Sequence, residues 1–407
     1  MLDRRQVLRS ARNAGAAGLG AGLIGRSSLA ALAADTVTLP FANGERSLVT
    51  YPGKRPLIEL TARPPQLETP FAVFNEGIIT SNDAFFVRYH LADIPLSIDP
   101  DTYRIDVKGR VNTPLSLSLQ DLKTAYDAIE IVAVNQCSGN SRGLFEPRLA
   151  GGQLANGAMG NARWKGIPLK AILDKAGVQS SAVQVAFNGL DGPVVPQTPD
   201  FMKALEIDHA RDGEVMIAYE MNGDDLPWLN GFPVRLIVPG YYGTYWVKHL
   251  NEITVLDKPL DSFWMTTAYR IPANACACTE PGKPASTTVP IGRYNVRSFL
   301  TNVADGARVK AGAELPLRGI AFDGGYGITD VAVSVDGGAS WHSAELGENL
   351  GKYSFREWKT AVKLPAGQHA ILVRAINRIG ESQPSEPLWN PAGYMRNVVE
   401  TTRVTAA

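Results

Sequence analysis

A chain of 407 residues, 45% hydrophobic and 20% charged, has the composition of an ordinary soluble globular protein and length enough for two or three domains. Its 40 basic and 40 acidic residues balance. The twin-arginine run Asp3-Arg4-Arg5-Gln6-Val7-Leu8-Arg9, the apolar stretch 14–24 and the Ala31-Leu32-Ala33 site read as an export signal over residues 1–33. Removing it takes five arginines and Asp3, leaving 35 basic and 39 acidic residues, net −4, which gives no support for a nucleic-acid partner.

The apolar stretch falls short of the ~20 residues a membrane span needs, and nothing later is long enough, so no membrane span is expected. The expected address is the periplasm, reached by the twin-arginine route. That route exports folded proteins and points to a prosthetic group inserted beforehand.

Residues 34–70, with Pro40, Pro52, Pro56, Pro64, Pro65 and Pro70, read as an irregular extended arm. In Phe85-Phe86-Val87-Arg88-Tyr89-His90 the period of two puts Phe86, Arg88 and His90 on one face. A guanidinium fork and a histidine on a rigid strand suit a small oxyanion, although an edge strand with two polar residues reads equally well. From residue 103 to 182 short strands (103–107, 129–134) alternate with helical patches at 118–126 and 169–176. Ser118 and Asp121 stand at capping-box spacing.

Residues 129–134 are apolar and rich in β-branched side chains, so they read as a short buried strand. Cys137 follows at the handover to a loop, Ser138-Gly139-Asn140-Ser141-Arg142, where Gly139 lets backbone approach a bound group. A metal ligand or nucleophile suits that place. So does a small buried hydrophobe, the commoner role of a lone cysteine.

Farther on, Asn188-Gly189-Leu190-Asp191-Gly192 is a turn cluster, and strands ending in Gly and Pro turns carry Arg235 and Lys248, two cations expected on one sheet and able to hold a phosphate-bearing cofactor tail, although either reads equally as a solvated surface charge. Tyr269 follows the aromatic pair Phe263 and Trp264; beside an anion its hydroxyl would be a donor, otherwise it packs. Cys276 and Cys278 stand too close for an unstrained bridge and receive no role. No dinucleotide fingerprint, P-loop, zinc pattern or haem-attachment motif occurs. After residues 284–290 the composition changes. The alternating strand in residues 330–341, with its Asp336-Gly337-Gly338 turn, and a second at 370–375 indicate an immunoglobulin-like β-sandwich, read as an interface without a catalytic constellation.

Taken together, Phe-Phe-Val-Arg88-Tyr-His90, Gln-Cys137-Ser-Gly-Asn-Ser-Arg142, Ala162-Arg163-Trp164-Lys-Gly, Ala218-Tyr-Glu-Met-Asn-Gly, Gly231-Phe-Pro-Val-Arg235 and Val335-Asp-Gly-Gly-Ala-Ser-Trp341 resemble, in order, the sulfite oxidase family of molybdenum enzymes. The resemblance implies an α+β fold: a mixed α/β molybdopterin domain over 34–285, then the immunoglobulin-like sandwich over 286–407. It makes Cys137 a ligand of molybdenum carried by a pyranopterin, a soft thiolate for a sulfur-rich site. It places Arg88, Arg142 and Tyr269 on the substrate oxyanion, and His90, Asp191, Arg235 and Lys248 near the pterin and its phosphate. The implied reaction is oxidation of sulfite to sulfate, with electrons leaving singly.

The chain departs from animal members at Leu154, where they carry a pocket tryptophan, and at Asn230, where they carry histidine. Residues 34–84 are too short and lack the histidine pair for a haem domain, so no haem is expected on this chain. The electrons are expected to pass to a c-type cytochrome, as in bacterial periplasmic sulfite dehydrogenases, the chain forming a heterodimer with that cytochrome or a homodimer. The alternatives are another sulfur oxyanion, protein-bound sulfur or a sulfoxide as substrate, or an exported β-rich binding module.

Overall fold

The computed structural model describes residues 36–407, so the export-signal reading lies outside the described residues. Residues 36–88 form a five-stranded sheet paired in chain order: Thr36–Thr38, Glu45–Val49, Leu57–Ala62, Pro65–Glu68 and Val87–Arg88. The irregular arm expected here is therefore a meander. Its prolines stand in the connections or, for Pro65, open a strand, positions where no interior ladder N–H is lost.

Two further sheets build the first domain. One orders Lys203–Glu206, Gln184–Gly189, Leu250–Leu256, Arg104–Gly109 and Leu115–Ser118, with Leu250–Leu256 parallel to Arg104–Gly109 and the other pairs antiparallel. The other orders Asp224–Asp225, Met216–Met221, Met159–Pro168 and Ile129–Gln136, with Arg235–Ile237 also paired to Met216–Met221. Ile129–Gln136 pairs along all eight residues with Met159–Pro168, and its second half is buried throughout, which is why that half carries no solvent-facing alternation.

The two expected helices form. Ser118 and Asp121 form the expected reciprocal capping box ahead of Leu119–Thr124, and Leu169–Ala176 buries Leu169, Ile172, Leu173 and Ala176 at helical spacing.

The second domain is a sandwich. A four-stranded sheet (Arg297–Leu300, Glu314–Phe322, Arg356–Lys363, Glu345–Leu346) faces a five-stranded one (Ala307–Val309, Glu400–Ala406, Gly367–Asn377, Ile328–Ser334, His342–Ser343). It has its own core around Leu317, Val331, Trp358 and Ile371. Phe299, Ile320, Phe322, Tyr353 and Phe355, however, belong to the apolar cluster of the first domain, whose centre holds Trp164 and Trp246. The principal core thus runs across the domain boundary.

Candidate active site

Where Ile129–Gln136 ends, the Cys137 N–H still pairs with the Ala158 carbonyl at 2.9 Å. The sheet thereby fixes the thiol at the rim of a cleft with about 590 Å³ of atom-free space. Cys137 is the one free cysteine among the described residues and is buried. Arg88, His90, Cys137, Asp191, Arg235, Lys248 and Tyr269 all line this cleft, so seven side chains from distant parts of the sequence converge on it. Only Val87–Arg88 of the 85–90 segment is paired as a strand; Phe86, Arg88 and His90 share the cleft as alternation requires, and Phe85, ahead of the paired strand, lines it as well.

The walls are aromatic and cationic. His90 stacks on Phe201 at 3.7 Å between ring centroids and hydrogen-bonds the Tyr269 hydroxyl. Burial, followed by Arg88, Lys248 and Lys203, holds the His90 pKa well below its usual range, so the ring is neutral at pH 7. Burial likewise drives the Tyr269 phenol upward and keeps it protonated. Arg235, 3% exposed, donates to the carbonyls of Asn230 (2.9 Å) and Trp246 (3.2 Å) and lies over Trp164 and Trp246. Burial lowers its pKa to about 10, still protonated at neutrality. Lys248 sits over Tyr89 and donates to the Arg88 carbonyl; burial brings it down to about 7. Asp191 is the single carboxylate lining the cleft, its pKa raised by burial against the pull of Lys248.

Three expectations change. Arg235 lies on a strand of one sheet while Lys248 stands two residues ahead of Leu250–Leu256 in another; the turn between them carries the chain from sheet to sheet. Arg142 does not line the cleft. Its guanidinium lies 5.0 Å from the Tyr394 ring centroid, and a Cβ on Gly139 would stand 2.9 Å from it, so the open backbone at Gly139 makes room for Arg142 and not for a bound group. Cys276 and Cys278 are disulfide-bonded: Ala277, at φ +50°, turns the chain back and brings their Cα atoms to 5.1 Å.

Sequence reasoning missed Asn135, Ser138, Phe201, Thr244 and Trp246 as lining residues. Asn135 ends an apolar strand with a buried amide, a signal present in the sequence; Thr244 carries none. Leu154 is buried but does not line the cleft, whereas Asn230 does and accepts from Lys54.

Arg235 Nε, Asn135 Oδ1, Ser138 Oγ and Thr244 Oγ1 are buried without a protein partner, all on lining residues. Each unmade bond costs roughly 1–3 kcal/mol, so four on one cleft fit a polar occupant. A thiol, two arginines with a lysine that an anion would hold protonated, and orphaned donors and acceptors suit an anionic group bearing a soft metal.

Comparison with known proteins agrees. Residues 91–264 match the oxidoreductase molybdopterin binding domain and residues 288–406 the Mo-co oxidoreductase dimerisation domain. The fold and cleft are thus those of a molybdopterin-dependent oxidoreductase. The mitochondrial sulfite oxidase of Macaca fascicularis is 34% identical over 373 residues, 88% of this chain and 67% of that protein, and the sulfite oxidase of Gallus gallus 32% identical over 84% of this chain and 77% of that one. The chain belongs to the sulfite oxidase family. It spans about two thirds of the length of the mammalian relatives it matches, 65% in the Homo sapiens enzyme. The sulfane dehydrogenase SoxCD of Paracoccus pantotrophus shares the fold, with a TM-score of 0.72 at 23% identity over 90% of this chain and 87% of that one.

Proposed function

We propose that this chain oxidises sulfite to sulfate at a molybdenum centre. The observation that carries this reading is the pairing, in one cleft, of a single buried thiol with the positive wall of Arg88, Arg235 and Lys248. Cys137 would ligate the metal, while His90, Asp191, Arg235 and Lys248 would face the pterin and its phosphate. The molybdenum pyranopterin, when bound, supplies the two-electron redox chemistry.

The chain's own residues do the rest. Arg88 neutralises a small dianion as it leaves water and orients its oxygens. Tyr269, protonated and bonded to neutral His90, offers a donor and a short proton path at the same wall. The aromatic faces of Phe201 and Trp246 exclude water, which strengthens every one of these contacts.

In the same reading the protein is exported by the twin-arginine route to the periplasm and passes its electrons singly to a c-type cytochrome. The Arg4-Arg5 segment supports the export. Cell fractionation with Arg4 and Arg5 both changed to lysine tests it; periplasmic activity that survives the change refutes it. Native mass of the purified protein decides between a homodimer and a heterodimer with the cytochrome. Purified protein with about one molybdenum should reduce ferricyanide and cytochrome c on addition of sulfite. Loaded protein silent with sulfite would move the reading to another sulfur oxyanion.

A further inference from the structure

The second domain touches residues that line the cleft through the segment between Gly367–Asn377 and Glu400–Ala406. Tyr394, on that segment, touches Tyr269 of the cleft wall and Arg142 outside it. Its ring is stacked on that of Tyr269, 5.4 Å between centroids and 6° from parallel, and it also carries the Arg142 guanidinium at 5.0 Å.

Both contacts have something to hold. Tyr269 adopts φ +57°, a left-handed conformation that a bulky residue keeps only where its surroundings enforce it. Arg142 has no ion-pair partner among the described residues; Nε donates to the Ala392 carbonyl at 3.1 Å. A Cβ on Gly393 would stand 2.9 Å from Arg142 Cγ, so the side chain is slotted against this segment.

The segment is itself anchored. Asn390 accepts from the Tyr394 N–H (3.1 Å) and donates to its carbonyl (2.8 Å), and the Met395 N–H donates at 3.2 Å to the carbonyl of Ser138, next to Cys137.

We propose that Tyr394 is a positioning residue of the active site, a platform through which the second domain, with Arg142 packed on the same ring, holds Tyr269 in register for the oxyanion. The inference rests on the sulfite reading above. The ring carries this work by stacking and cation–π attraction; the hydroxyl also meets the Tyr269 backbone, so the phenylalanine variant separates the two.

The test uses the molybdenum-loaded enzyme with Tyr394→Leu and Tyr394→Phe. In the leucine variant KM for sulfite should rise about fivefold, the worth of one ring stack, while kcat stays within about threefold. Calorimetry should show Kd for sulfate weakened by a similar factor, a readout independent of turnover. The phenylalanine variant should restore both to within about twofold. A fully loaded leucine variant with unchanged KM and Kd overturns the proposal. So does a phenylalanine variant as impaired as leucine, which assigns the effect to the hydroxyl. Should the leucine variant not accumulate, Tyr394→Met, unbranched and of similar volume, replaces it with the same expectations. Wild-type enzyme that neither oxidises sulfite nor binds sulfate removes the underlying reading and the platform with it. Where wild-type enzyme does both, a failure in the variants counts against Tyr394 alone.

Discussion

Arg88 and Cys137 have separable jobs, and single substitutions should separate them. Arg88→Met removes a charged donor from the cleft but leaves the thiol and the sheet in place, so KM for sulfite should rise at least tenfold, in line with the ~1.5–3 kcal/mol of a charged hydrogen bond; an unchanged KM takes Arg88 out of the anion site. Cys137→Ser replaces a soft thiolate with a hydroxyl, and turnover should be lost with a fall in molybdenum content measured by mass spectrometry. Wild-type rates in that variant would end the ligand assignment. Arg88 and His90 were legible in the sequence because strand alternation is a local rule. Arg142 was not, because its direction is set by Tyr394 and Gly393, some 250 positions away, and no local pattern carries that information.

Among the elements, Pro65–Glu68 matters most for the loop that follows Arg142. Glu68, 1% exposed, accepts from the N–H groups of Ala155 (3.0 Å) and Gly157 (2.6 Å), so the meander clamps the 151–158 loop from beneath. Burial raises its pKa from 4.5 to about 7 in spite of those two bonds. The folded protein therefore holds this proton more tightly than the unfolded chain does. The contribution to stability is full below about pH 4.5 and is lost as pH rises toward 7, a difference of roughly 3 kcal/mol. Urea unfolding at pH 5 and 7.5 should show that decline in wild type and a flattened one in Glu68→Gln; equal slopes would clear Glu68 of it. Helices were readable from capping and periodicity, which act within a few residues. The meander was not, because its strands are short, proline-flanked and paired only through the register each neighbour supplies.

Across the whole molecule the most informative buried charge is Arg297, 1% exposed, which donates to Ser141 (3.1 Å) in the first domain and to Glu400 (2.8 Å) in the second. Arg297→Met removes its two bonds while Glu400 keeps Arg396 and Ser141 keeps Asn156, so the protein should be destabilised by about 2 kcal/mol, the worth of a charged hydrogen bond. Denaturant unfolding followed by two probes, one per domain, should still give a single coincident transition; two separate transitions would show that the domains melt apart. The sandwich was foreseeable from its alternating strands and glycine turn. Its contact with the residues that line the cleft was not, because the sequence marks Tyr394 as one more aromatic near a chain end.

That shared core bears on how such a protein can be inherited. Two family models divide the chain near residue 288 as though it were a pair of exchangeable cassettes, yet Phe299, Phe322 and Phe355 pack with the first domain. A recombination event that traded the second half for a relative's would have to match those rings and the Arg142 slot together. Substitutions at the junction are therefore constrained by one another, and the two halves are one packed body.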